Sequence, residues 1–170
     1  MIGLQIKKGL IIMPRNYIKN VEIEDAHIFW RNFSGRPGEY NTEGARNFCV
    51  TIPEDMVDEL IEEGWNVKQS KSVEEGYEPD HYMKVNVRYG RVSPIVYKMT
   101  RSRRVPLDED TIGTLDDAEI ERVDLIIRPY EYKPGNVSAY LKEMYVTVVQ
   151  SRFAEKYDDM YNGPEDVPFE

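Results

Sequence analysis

Cysteine is nearly absent from this chain of 170 residues, and the single Cys49 excludes an internal disulfide framework and any cysteine-built zinc cage. Histidine is as scarce: His27 and His81 lie far apart with no HxxxH or HxxE spacing, so each reads as a strand residue and no metal is expected. No apolar run approaches the ~18 residues that cross a bilayer. Lys7-Lys8 ahead of Gly9–Met13 is too short a stretch for a signal sequence, so no membrane partner is expected and the expected compartment is a reducing cytoplasm. There is no Gly-rich phosphate loop, no internal repeat and no sign of a cofactor. Asp108-x-Asp110-x-Ile112-Gly113-x5-Glu119 has a calcium-loop spacing, but isoleucine stands at one ligand position and cannot coordinate.

What remains is an ordinary soluble composition, 41% hydrophobic and 31% charged, too apolar for wholesale disorder. A length prior of roughly 150 residues per domain gives one domain plus an appendage. The net charge of -9 argues against a polyanion partner until it is mapped. Between Lys84 and Arg104 stand seven bases (Lys84, Arg88, Arg91, Lys98, Arg101, Arg103 and Arg104) and no acid. From Val105 to Asp124 the balance inverts, and residues 154–170 alone carry a net -5. The body is therefore only mildly acidic and strongly polarised. Local potential governs an encounter, so a basic stripe on such a body is compatible with a polyanion, or with a merely solvated, charge-rich loop.

Strand signals dominate. His81–Tyr89 alternates strictly, with Met83, Val85, Val87 and Tyr89 opposite Tyr82, Lys84, Asn86 and Arg88. Glu24–Phe33, Phe48–Ile52, Val123–Tyr132 and Ala139–Val149 supply four further strands, separated by turn signals such as Lys133-Pro134-Gly135-Asn136. Pro53–Glu63 predicts a helix, with Met56, Val57, Leu60 and Ile61 on one stripe, acids at its start and Gly64 as its stop. A short helix is expected near Asp108–Leu115 and a third over Asp116–Ile120. Many strands and short helices predict a mainly β fold, a small Greek-key barrel of the oligonucleotide-binding (OB) kind, with a sandwich as the alternative.

The informative pattern is aromatic residues interleaved with bases. Single-stranded nucleic acid needs cations along its phosphates and flat rings for its bases, each stack worth roughly 1–3 kcal/mol. Twelve of the aromatics are tyrosine, whose ring stacks while its hydroxyl tolerates water, although tyrosine also packs on sheets for purely structural reasons. The candidate stacking rings are Trp30, Phe33, Tyr82, Tyr89, Tyr97, Tyr130 and Tyr140, with Tyr89 alternating among core positions. The candidate phosphate contacts are Arg31, Arg36, Arg46, Lys84, Arg88, Arg91, Lys98, Arg101, Arg103 and Arg104. No catalytic residue is assigned. At the end of the tail, Asp166, Val167, Pro168 and Phe169 form a bait: a ring for an apolar pocket, behind carboxylates for a basic rim.

That tip resembles the acidic, Ile-Pro-Phe-ending tip of bacterial single-stranded DNA-binding proteins. Here Glu170 follows the phenylalanine, so a pocket that grips a terminal carboxylate would lose that contact. Ile28–Gly35, Arg46–Val50, Gly64–Lys68, Asp124–Tyr130 and Ala139–Lys142 resemble a family of single-stranded DNA-binding proteins from tailed bacteriophages and prophages, over roughly residues 24–149. The resemblance implies an OB fold, non-catalytic and sequence-tolerant binding of single strands inside a bacterial host cell, and a role in phage replication or recombination with partner proteins recruited by the tail. The expected organisation is an N-terminal arm (1–23), an OB-like domain (24–153) and a flexible acidic tail (154–170). Residues 1–12 receive no role, and a homo-oligomer is left open. Two alternatives stand beside this reading: an acidic phage protein that inhibits a host DNA-binding enzyme by charge mimicry, and a metal-dependent nuclease drawing on the acids between Asp108 and Asp124.

Overall fold

The computed structural model describes residues 5–7, 10–12, 17–71 and 80–161. The short strands β1 (Gln5–Lys7) and β2 (Leu10–Ile12) pair with each other as an antiparallel hairpin. The body is one nine-stranded sheet comprising β3 (Val21–Ile23), β4 (Ile28–Asn32), β5 (Arg46–Thr51), β6 (Lys68–Gln69), β7 (His81–Val87), β8 (Ile95–Met99), β9 (Arg104–Leu107), β10 (Ile120–Lys133) and β11 (Asn136–Val148). Helix α1 (Glu54–Glu63) follows β5, a 3-10 helix (Ile112–Asp116) precedes β10, and helix α2 (Arg152–Tyr161) ends the described chain.

The main strand order is β3-β10-β11-β7-β5-β4. Its two ends are successive stretches of one chain segment, bent at Asp25, which sits at φ 49°. β3 pairs with β10, whereas β4 pairs with β5, so the segment closes the sheet into a barrel rather than a sandwich. β7 and β11 run parallel, joined at Val85↔Ala139 and Asn86↔Tyr140, as a five-stranded Greek-key barrel requires. Val21 and Ile23 of β3 are buried in the core.

Period-two alternation fixes which side chains enter the barrel. On β7, Met83, Val85 and Val87 are buried while Lys84 faces solvent, as does Arg88 just beyond the strand. On β11 the inward set shifts from Val137, Ala139 and Leu141 to Met144 and Val146. The shift coincides with a register irregularity that skips Lys142, and beyond it β8 replaces β7 as the neighbour of β11. No polar or charged residue is fully buried among the described residues.

Phe33 is a correction. Expected as an exposed stacking ring, it has no accessible surface and packs on Phe48 at 5.1 Å. The backbone N–H groups of Phe33 and Ser34 donate to the Asp116 carboxylate at 2.6 and 3.2 Å, and this turns the chain inward. The helix expected over Asp116–Ile120 does not form. Arg31 Nη1 donates to the Leu115 and Ala118 carbonyls, each at 2.8 Å, and so holds the chain in a turn after the 3-10 helix. The 84–104 stripe is not one loop either: β8 and β9 form a hairpin closed by a Thr100–Arg103 turn. The expected tail begins as α2, because Ser151 caps Ala154 N–H at 3.1 Å and Phe153, Tyr157 and Met160 recur at helical spacing. Among the described residues no helix is long and apolar enough to cross a membrane.

Helix α1 is locked against the barrel by its end. Gly64 adopts φ 97°, its N–H donates to Ile61 O, and Trp65 N–H donates to Leu60 O at 3.0 Å, a Schellman closure. Gly64 O accepts from Val137 N–H at 3.0 Å, which ties the helix to β11. A Cβ at Gly64 would collide with the Gly135 carbonyl as well as strain the backbone. Gly64→Ala is expected to cost roughly 2–3 kcal/mol, seen as a Tm drop of roughly 5–10 °C in calorimetry. Phe33→Ala is expected to cost about 3–5 kcal/mol in urea unfolding, and a loss below about 1 kcal/mol would contradict its core placement.

Candidate nucleic-acid interface

Three aromatic groupings stand on the outside of the sheet. The first lies over β4, β5 and β7. A register irregularity between Phe29 and Asn32 lets Trp30 take φ 48°, which turns the indole outward to 70% exposure. Phe29 meets its ring at 4.9 Å and 71°, and Tyr82 meets it at 5.7 Å and 87°. Beside these rings is a groove of about 670 Å³, walled also by Tyr40, Asn32, Asn41 and Asn47, with Lys68 and Lys84 among its lining cations. Lys68 reaches it because β6 pairs with β7 at Tyr82. Cys49 lies beneath, where burial raises its thiol pKa against the opposing pull of Lys68 and Lys84, so it is a packed thiol rather than a nucleophile.

The polar wall of this groove is a fixed amide chain. Asn41 Nδ2 donates to the Arg36, Thr42 and Ala45 carbonyls, and Asn47 Nδ2 donates to Asn41 Oδ1 at 2.8 Å. Tyr40 and Lys68 were not foreseen as lining residues; one stands in a turn and the other on a two-residue strand, and neither has a periodic neighbourhood to mark it.

The second grouping lies over β7, β11 and β10. Tyr130 is 53% exposed and meets Tyr140 edge-on at 5.9 Å, and the Arg128 guanidinium sits over the Tyr140 ring at 5.1 Å. Arg88 and Arg91 complete the rim of a recess of about 370 Å³. Arg128 became a member because it pairs directly with Tyr140 across the strands.

The third grouping is on the β8–β9 hairpin. Tyr97 stacks on Tyr145 at 5.5 Å and 14°, and Arg104 lies over the Tyr97 ring at 4.8 Å. Tyr145 O–H donates to Glu143 at 2.6 Å, a bond that raises its pKa. Arg101 at the hairpin tip pairs with Glu155 of α2 at 3.8 Å. Lys98, Arg101, Arg103 and Arg104 thus belong to the hairpin, apart from Lys84 on β7 and from Arg88 and Arg91 in the segment that follows it.

Four expected contacts have partners within the fold. Arg31 holds the two carbonyls after the 3-10 helix, and Arg36 pairs with Asp116 at 3.4 Å. Arg46 pairs with Glu109 at 3.4 Å and lies over the Tyr89 ring at 5.5 Å. Tyr89 packs against the core, and burial pushes its pKa up to about 12. For Arg31, Arg46 and Tyr89 these are corrections, since their polar or aromatic groups are occupied in holding the fold; Arg36 keeps 64% of its side chain exposed. Asp166, Val167, Pro168 and Phe169 lie outside the described residues.

The acidic stretch behaves as a scaffold. Asp108 Oδ1 accepts from Asp110 N–H, Thr111 N–H and Thr111 Oγ1, and these bonds lower its pKa. Among the described residues no three His, Cys, Asp or Glu side chains converge on a metal position.

The first two groupings share one surface. The pairing Asn32↔Asn47↔Asn86↔Tyr140↔Arg128 runs straight across β4, β5, β7, β11 and β10, all side chains on the face away from the core.

Comparison with known proteins bears on the fold and the family. Among solved structures, the single-stranded DNA-binding protein of bacteriophage Enc34 in complex with ssDNA aligns with a TM-score of 0.50 and 16% identity, covering 79% of this chain and 89% of that one. A C-terminal truncation of the same phage protein aligns at 0.47 and 15% identity, over 82% and 96% of the two chains. At such identities the likeness is one of fold. No curated protein matches the sequence. The model of the phage ssDNA-binding domain matches residues 12–168, nearly the whole length, and the chain is therefore a member of that phage ssDNA-binding family.

Proposed function

We propose that this protein binds single-stranded DNA without sequence preference and without catalysis, holding the strand across the outer face of β4, β5, β7, β11 and β10. The observation that carries this reading is the unbroken outward row from Asn32 to Arg128, with stacking rings and cations at both ends. Trp30, Tyr82, Tyr130 and Tyr140 supply the rings; Lys68, Lys84, Arg88, Arg91 and Arg128 supply the charge. The hairpin cations Lys98, Arg101, Arg103 and Arg104 make a secondary contact. These bases weigh against charge mimicry, and the engagement of Asp108 and Asp116 with their own backbone weighs against a nuclease built on them. Family membership supports a role in phage replication or recombination, with the Asp166–Phe169 tip recruiting partner proteins.

Poly(dT) titration at several salt concentrations, without metal, tests the reading. Log affinity falls with log salt by about 0.7 per phosphate contacted. Replacing Lys84, Arg88 and Arg128 with alanine is expected to flatten that slope by about two contacts or more. Replacing Arg101, Arg103 and Arg104 should flatten it less, and the reverse ranking would move the interface to the hairpin. Deleting residues 162–170 is expected to leave affinity equal or higher, since the deletion removes three carboxylates and no base. A large drop would overturn the assignment of the tip to partner proteins.

A further inference from the structure

We propose that the two grooves are separate base-stacking stations on one track, so that tight binding begins only with a strand long enough to occupy both. The proposal rests on the single-stranded DNA reading above and adds the geometry of the ligand.

The first station is built around Trp30. A bulky residue at φ 48° occupies a region that L side chains adopt only under constraint, and such outliers persist where the surroundings over-determine them. Here the surroundings are the edges of Phe29 and Tyr82, and the result is a rigid indole with 70% of its surface in water. No core contact is gained by that exposure, and a flat ligand ring would use it. The second station is Tyr130 beside Tyr140, the latter fixed from one side by Arg128.

The stretch between them holds amides instead of rings. Asn47 Nδ2 donates to Asn41 and Asn86 Nδ2 donates to the Ala139 carbonyl, which leaves each Oδ1 for a ligand. Every base carries an N–H donor, so acceptors here tolerate all four and favour base edges over phosphate. Tyr82 stands four residues of ~3.3 Å before Asn86 on β7, and Asn86 pairs with Tyr140 one inter-strand step of ~4.8 Å away, so about 14 Å separates the two ring groups. An unstacked strand advances at most roughly twice the stacked 3.4 Å per nucleotide, so about two backbone steps join the stations. A ligand holding both therefore has about three nucleotides or more. Once one station is filled, the second binds at an effective concentration in the millimolar range, which produces a step in affinity with length.

The test is competition by unlabelled (dT)2, (dT)3, (dT)4, (dT)6 and (dT)8 against fluorescein-labelled (dT)20, read by anisotropy at low salt with the full chain. The expected result is a rise of at least tenfold between (dT)2 and (dT)4, flanked by shallower trends. Trp30→Asn, whose side chain tolerates the left-handed backbone, should erase the step by lowering (dT)8 affinity at least tenfold more than (dT)2 affinity, with Tm near that of the parent. Tyr130→Leu with Tyr140→Leu should erase it from the other end, and Trp30→Tyr should retain it. An even rise of log affinity with length, or a Trp30→Asn loss shared equally by (dT)2 and (dT)8, would overturn the two-station track while leaving the single-strand reading intact. Absence of (dT)20 binding by the unaltered protein would overturn both.

Discussion

Closure of the sheet through one bent segment is the constraint on which the remaining structure depends. Residues 21–32 pair with β10 on one side of Asp25 and with β5 on the other. The bend is secured by Asp25 N–H donating to Asp124 at 2.9 Å, Ala26 N–H to Val123 O at 2.7 Å, and Thr51 N–H to His27 O at 2.9 Å. Without it, β4 and β10 would be open edges and the apolar set running from Val21 to Val146 would face water. Among the described residues every fully buried side chain is apolar, so polar chemistry is left to the outside of the barrel.

The interface follows from that closure by simple periodicity. Because successive residues alternate across the sheet, the residues that exclude water inside determine which ones stand outside. Val85 and Phe48 occupy the core at one register level, and Asn86 and Asn47 then share the outer face at the next. Trp30, Tyr82, Lys84, Arg128, Tyr130 and Tyr140 stand on paired strands, which suits a polynucleotide to be gripped at defined spacing. Two segments near the first groove are tied down by charge-assisted hydrogen bonds, Arg31 donating to the turn after the 3-10 helix and Ser34 O–H donating to Asp116.

Much of this was legible in the sequence wherever the signal was local. Strict alternation in His81–Val87, the apolar stripe of α1 and the Lys133–Asn136 turn each appear where their chemistry places them. Trp30, Tyr82, Lys84, Arg88, Tyr130 and Tyr140 also stand on the outer face. What was illegible depended on partners distant in the chain. Phe33 reads as the neighbour of Trp30 and Arg31 in a basic aromatic block, yet Asp116, 83 residues away, turns it inward. Arg46 and Tyr89 look like binding residues until the fold places them against each other. Tyr40 and Lys68 join the first groove only because β6 and the loop after β4 fold back upon it. The α2 helix eluded the reading because acidity and the Asn162-Gly163-Pro164 stretch outweighed its apolar spacing.

The most direct measurement is a map of amide and indole NMR shifts on adding (dT)12. The structure predicts the largest changes at the Trp30 indole N–H, the side-chain amides of Asn47 and Asn86, and the backbone around Arg88 and Arg128. Changes confined to the β8–β9 hairpin and α2, with the Trp30 indole unmoved, would contradict the placement of the strand on the outer face of the barrel.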